Sequence, residues 1–230
     1  MQKSTVGLVG SVLILGTVLF GGCAAKVGED AAKEAKPLVI GVRYLAFRNP
    51  ANSQAVAAEA DVSTMVKEMN TVWSQCNLTF QLEEYKQVDP REYNARYSPA
   101  NYSELDNLRE ATENSRYLTL IATGPWNRSG TLGASGSNCY SSFPGDAADG
   151  VVCESRVAVS PMLHAHEAGH WFGLYHTDDP NADGIADTTA ENSGQDLMNH
   201  FVRPEDRLLT PGQCERARQT VAHSRTAATL

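Results

Sequence analysis

Basic residues are scarce in this chain: 19 Lys and Arg stand against 27 Asp and Glu, a formal net charge of -8 over 230 residues. Nucleic-acid binding, which relies on clustered Lys and Arg to displace phosphate counterions, is disfavoured on that count. There is no Gly-rich phosphate loop and no serine nucleophile elbow, so nucleotide hydrolysis and serine-based acyl transfer have no anchor. There is no Cys-x-x-Cys pair, which removes a structural zinc site built on thiolates. No segment repeats. The longest apolar run, Val6 to Phe20, is shorter than the roughly 20 residues a helix needs to span a bilayer. What remains is a chain with ordinary apolar and charged fractions, 42% and 20%, long enough for one compact domain or two small lobes sharing a cleft.

The first residues read as an address. One Lys precedes the apolar run, which closes on Phe20-Gly21-Gly22-Cys23. Small residues before a cysteine resemble a bacterial lipoprotein signal, in which Cys23 carries the lipid; Phe20 stands where Leu is usual, and an ordinary cleaved signal peptide is the alternative. Both predict a mature chain outside the cytoplasm, lipid-anchored to the envelope or secreted, that meets a membrane only through that anchor. Cysteine usage agrees. Cys76, Cys139, Cys153 and Cys214 form an even set suited to an oxidising compartment. Of three pairings we favour Cys139–Cys153, closing a short loop, with Cys76–Cys214 joining two distant helices.

Residues 23–36 are small and charged without apolar period, as in a tether. From residue 37 the pattern predicts a strand over Leu38–Tyr44 and a helix carrying Val62, Met65, Val66, Met69, Val72 and Trp73 that ends before Asn77. A strand over Leu78–Leu82, a short helix around Leu105 and Leu108, and a strand over Tyr117–Ala122 follow, the order of a small α/β lobe. Residues 124–150 are Gly- and Ser-rich, with an edge strand expected at Thr131–Ala134. Val151–Val159 reads as a strand. Ser160-Pro161 reads as an N-cap and first helical residue, opening a helix that runs to about Phe172 and stops at Gly173. Thr210-Pro211-Gly212-Gln213 has the capping-box form for a last helix.

That penultimate helix carries His166-Glu167-Ala168-Gly169-His170. Histidines four apart share one helical face, so both imidazoles can reach one ion at about 2.0–2.1 Å. Glu167 falls beside the ion, not on it, where it can take a proton from water. Gly173 reverses the chain, and His176 can then return as third ligand. Three protein ligands leave one position open, the catalytic arrangement and not the structural one. Histidines at this spacing around a Glu arise by chance in under about one per cent of such chains, and adding Gly173 and His176 lowers that to the order of 10⁻⁵. The plain alternative is two solvated or packed histidines on a surface helix. His164 is expected to point away from the zinc face, at the surface or in a capping role, and His223 to sit near a helix end.

The segment HEAGHWFGLYH is similar to the extended zinc motif of metzincin peptidases, and GHWFGLYHT with Ala186-Asp187-Thr188 and Leu197-Met198-Asn199 looks most like their pappalysin branch. The likeness is sharp over residues 161–201 and loose elsewhere. It implies an α+β, metzincin-like zincin with an upper lobe of twisted mixed sheet plus helices and a mostly irregular lower lobe ending in a helix. It implies peptide-bond hydrolysis with Glu167 as general base and acid, His166, His170 and His176 as zinc ligands, and Met198 as the Met-turn beneath the imidazoles. His200 stands where several branches carry Tyr, and is a candidate oxyanion donor or weak extra ligand, or else a solvent-facing loop residue. Oxygen side chains at Asp179, Asn181, Asp183 and Asp187, with Gly184 for the turn, suit a calcium ion, although the distal bidentate Glu is missing; the alternatives are an acidic surface loop, or Asp187-Thr188 positioning the loop without an ion.

The division expected is therefore a signal over 1–22, a tether over 23–36 and a metallopeptidase catalytic domain over 37–230, monomeric, acting on protein or peptide substrates. Two rivals are carried forward. One is a thermolysin-like zincin with Glu191 as third ligand; the other is a non-catalytic surface module that merely retains the metal, against which an intact Glu167 argues.

Overall fold

The structure, a computed structural model, describes residues 36–178, 184–189 and 192–224. Strand β1 (Leu38–Phe47) shows how the layers arise. Ile40, Val42, Tyr44 and Ala46 point into one apolar cluster, and Leu45 and Phe47 into another on the opposite face. A strand buried on both sides belongs in the middle of a parallel sheet covered by helices. β2 (Leu78–Val88), β3 (Leu118–Thr123), β4 (Cys139–Ser141) and β5 (Val151–Glu154) complete it in the order β2-β1-β3-β5-β4. All neighbours run parallel except β4, which is antiparallel to β5 at the edge.

Helix α1 (Glu59–Trp73) buries the six apolar residues picked out by their spacing. It packs with α3 (Pro161–Trp171) on the first face, while Leu105 and Leu108 of α2 (Tyr102–Thr112) cover the second. Trp73 is the joint between α1 and α3: its ring meets Phe172 edge-on, 4.8 Å between centroids, and its indole N–H donates to the Ala165 carbonyl at 3.1 Å. Removing such a buried indole costs about 3–5 kcal/mol. After α3 the chain turns irregular. From Gly173 to Leu209 the described residues form one short 3₁₀ turn, Ser193–Gln195, and an isolated bridge between Asp196 and Leu208, before α4 (Pro211–Ser224). This is the expected α+β architecture, a layered sheet half followed by a largely irregular half that ends in a helix. Both disulfides pair as expected: Cys139–Cys153 directly across β4 and β5, and Cys76–Cys214 between the turn after α1 and helix α4.

Four local expectations are corrected. β2 extends to Val88, beyond Leu82, because an edge strand can carry polar residues such as Glu83 and Glu84 and still pair with β1. Thr131–Ala134 is not an edge strand; Leu132–Ser135 make a single helical turn closed by Gly136 at φ 68, and Cys139–Ser141 supply the edge. β5 ends at Glu154, where its pairing with β3 ends, and Ser155–Val157 turn the chain toward α3. Ser160 does not cap α3 with its side chain; its backbone carbonyl takes both the His164 N–H and the His164 Nδ1. At α4 the capping box forms as predicted, with the Thr210 N–H donating to Gln213 Oε1 and the Gln213 N–H to Thr210 Oγ1.

Candidate metal centre

Helix α3 packs beside α1 on the first face of the sheet, held from two sides. Trp73 binds its Ala165 carbonyl, and the Ser141 hydroxyl of β4 donates to its Glu167 carbonyl at 2.8 Å. The helix ends in a Schellman motif. The Gly173 N–H donates to the His170 carbonyl and the Leu174 N–H to the Gly169 carbonyl, with Gly173 at φ 84. That left-handed turn is open to glycine and strained for residues with a Cβ. It sends the chain back across the helix so that His176 meets His166 and His170.

The three rings converge. His176 Nε2 lies 3.1 Å from His170 Nε2 and 3.3 Å from His166 Nε2, and one nitrogen from each falls within 4.8 Å of the others. Four ligands placed tetrahedrally at a zinc–nitrogen distance of about 2.0–2.1 Å would stand roughly 3.3–3.4 Å apart, so the spacing fits one such ion. The opposite nitrogens are fixed by main chain: His166 Nδ1 at 2.7 Å from the Leu197 carbonyl and His170 Nδ1 at 2.8 Å from the Leu174 carbonyl. Those bonds hold the proton on Nδ1 and leave Nε2 as the ligand atom. Burial drives the His166 pKa down to about 4 and that of His170 well below its ordinary value. Both rings are therefore neutral at physiological pH, the form a metal requires.

Glu167 is buried beside them and lines the same cleft, of about 770 Å³, between β4, the start of α3 and the 200–207 segment. Burial pushes its carboxyl up to about 8, and a divalent cation alongside lowers it again. Met198 is fully buried against α3: a Cβ placed on Gly169 would lie only 2.2 Å from the Met198 sulfur. Met198 is thus seated on the one helix residue, between the two histidines, that leaves it room.

His200 stands against His176, ring centroids 4.7 Å apart and Nδ1 atoms 3.3 Å apart. His164, expected at the surface or in a capping role, is buried: its ring packs near Tyr44, its Nδ1 meets the carbonyl of the N-cap residue Ser160, and burial lowers its pKa to about 4. His223 sits in the last turn of α4 as expected. The Asp187 carboxylate accepts from the Thr210 hydroxyl and the Gly212 N–H, both at 2.8 Å, and so ties its loop to the start of α4. Cys23, Asp179, Asn181, Asp183 and Glu191 lie outside the described residues. The carbonyl anchors of His166 and His170 and the Gly169–Met198 contact escaped the sequence reading; a glycine inside a helix, between two ligand candidates, was the available signal for the last.

A search of curated proteins by sequence found no match. Among solved structures, the chain resembles mirolysin with a bound compound, at 16% identity and a TM-score of 0.65 over 85% of this chain and 97% of that one. It also resembles a Tannerella forsythia promirolysin variant, at 15% identity and 0.63 over 88% and 86%. Metalloproteinase-II from Bacteroides fragilis aligns at 16% identity and 0.51, over 80% of this chain and 53% of that one. At these identities the likeness speaks for the fold. The sequence itself matches the model of metallo-peptidase family M12 over residues 43–208, which take in the sheet from the middle of β1 onward, the three converging histidines and Met198. The chain belongs to metallo-peptidase family M12.

Proposed function

We propose that this metallopeptidase is a zinc-dependent endopeptidase acting outside the cytoplasm. The observation that carries the proposal is the convergence of the His166, His170 and His176 nitrogens next to a buried carboxyl that lines a cleft. Imidazole donors with no thiolate and one vacant corner suit catalytic zinc. When bound, zinc supplies a Lewis acid that lowers the pKa of water and polarises the scissile carbonyl.

The chain's own residues do the rest. His166 and His170, locked through Nδ1 to main-chain carbonyls, hold the ligand face without rotating. Glu167 takes the proton from the attacking water and passes it to the leaving amine. The short edge strand β4 lines the cleft and can pair with an extended substrate backbone.

Within the family, GHWFGLYHT and the Leu197-Met198-Asn199 turn support the pappalysin-like branch. The apolar run ending at Cys23 supports export with a lipid anchor. The spacing of Asp179, Asn181 and Asp183 supports a calcium ion near residue 181, for which Asp187, engaged with α4, is not required. The decisive experiment pairs metal analysis with cleavage of a peptide library by wild type and Glu167→Gln. We expect about one zinc per chain in both proteins, cleavage abolished by chelator, and turnover lowered about 10²–10⁴-fold in the variant. Equal turnover in the two proteins, or activity indifferent to chelator, rejects the proposal.

A further inference from the structure

His176 differs from the other two zinc-ligand candidates in its support, since it comes from a loop and not a helix. Three contacts lace that loop to the turn beyond Met198. The Thr177 N–H donates to the Met198 carbonyl at 3.0 Å. The His200 N–H donates to Asp178 Oδ1 at 3.2 Å. The third contact is between rings, His200 Nδ1 against His176 Nδ1 at 3.3 Å with the planes at 81°. Two segments, 176–178 and 198–200, therefore form a bracket with His176 and His200 at one end. The first two contacts hold the loop against the turn, and the third brings the His200 ring against the His176 imidazole.

We infer that His200 is a positioning residue that orients His176 toward the metal, through the hydrogen bond between their Nδ1 atoms. The chemistry fixes the direction of that bond. A His176 that gives Nε2 to an ion carries its proton on Nδ1 and donates it; His200 accepts through Nδ1 and keeps its own proton on Nε2. Main-chain carbonyls do this work for His166 and His170. At His176 a side chain contributes to it, so at this ligand part of the support can be altered by point mutation with the backbone left in place. His200 is exposed and packs edge-on against the exposed Phe201, so its replacement leaves no hole in the core.

The inference rests on the zinc reading above, and its test separates the two. Zinc affinity is measured by competition with a chromophoric chelator for wild type, His200→Ala and His200→Gln, with far-UV circular dichroism of each apoprotein as the folding control. We expect His200→Ala to bind zinc about 10–100-fold more weakly, the usual cost of removing a hydrogen bond behind a ligand. His200→Gln, which still offers an acceptor oxygen, recovers part of the loss. If wild type binds no zinc, the proposed function falls. If wild type binds zinc and His200→Ala matches it, this inference alone is overturned. It is also overturned if zinc affinity holds while kcat collapses, because His200 would then act on the reacting oxygen and not on His176. A His200→Ala protein that does not fold leaves the decision to His200→Gln, whose affinity must lie between wild type and a His176→Ala variant.

Discussion

Gly169 gives the sharpest test of how the site is packed. A methyl added there would sit 2.2 Å from the Met198 sulfur and 2.9 Å from its terminal methyl. Heavy atoms in contact rest roughly 3.5–4.0 Å apart, so the overlap exceeds about an ångström. Met198 is flexible in principle, but here it is fully buried among Leu197, Leu174 and α3, with no solvent to swing into. Overpacking of this severity costs about 3 kcal/mol. Replacing a helical glycine by alanine returns about 1 kcal/mol. Gly169→Ala should therefore destabilise by about 2 kcal/mol. Met198→Ala opens a cavity and should cost about 2–5 kcal/mol. In that background the added methyl meets empty space, the clash vanishes and only the helical gain remains. Adding Gly169→Ala to Met198→Ala should then stabilise by about 1 kcal/mol, an interaction energy of about 3 kcal/mol between the two positions. Urea unfolding of the four apoproteins, followed by tryptophan fluorescence, reads the cycle directly. Additivity within about 0.5 kcal/mol would mean that Gly169 is not there to make room for Met198, and the packing argument would be wrong.

Two further outcomes follow from the structure. Asp187→Ala removes the acceptor for the Thr210 hydroxyl and the Gly212 N–H; it should cost about 0.5–2 kcal/mol in urea unfolding, as loss of a helix cap does, and an unchanged midpoint would refute the role. His164 is buried neutral with its pKa lowered to about 4, so the unfolded chain binds its proton first as pH falls below about 6.5. Its contribution is present in full above pH 6.5 and is lost progressively toward pH 4, by about 3 kcal/mol. The apoprotein of His164→Gln should show a shallower loss of stability across that window than the wild-type apoprotein, and parallel curves would sink the argument.

The legible part of this protein was the part set by spacing along one element. Two histidines at i and i+4, a glycine stop and the apolar stripe of α1 are local facts, and each holds in three dimensions. The disulfides were legible because few pairings compete among four cysteines. What escaped depends on which surface covers which. Nothing near His164 in the sequence says that Tyr44, 120 positions earlier, closes over it. Thr131–Ala134 leads into a helical turn and is not an edge strand, since Leu132 is buried in the apolar cluster on α2's side of the sheet. Likewise the anchoring carbonyls of Leu197 and Leu174 have no side-chain signature, since every residue offers the same backbone oxygen and only the fold selects these two.

The Schellman stop at Gly173 has a consequence for chain length. Only Leu174 and Tyr175 separate that turn from the third imidazole, and each residue of extended chain advances about 3.3–3.6 Å. One inserted residue would carry the ring a distance as large as the 3.1 Å gap between the His176 and His170 nitrogens. The stretch is a ruler as well as a tether: a single-residue insertion there should empty the metal site as surely as deleting a ligand, even with every histidine retained.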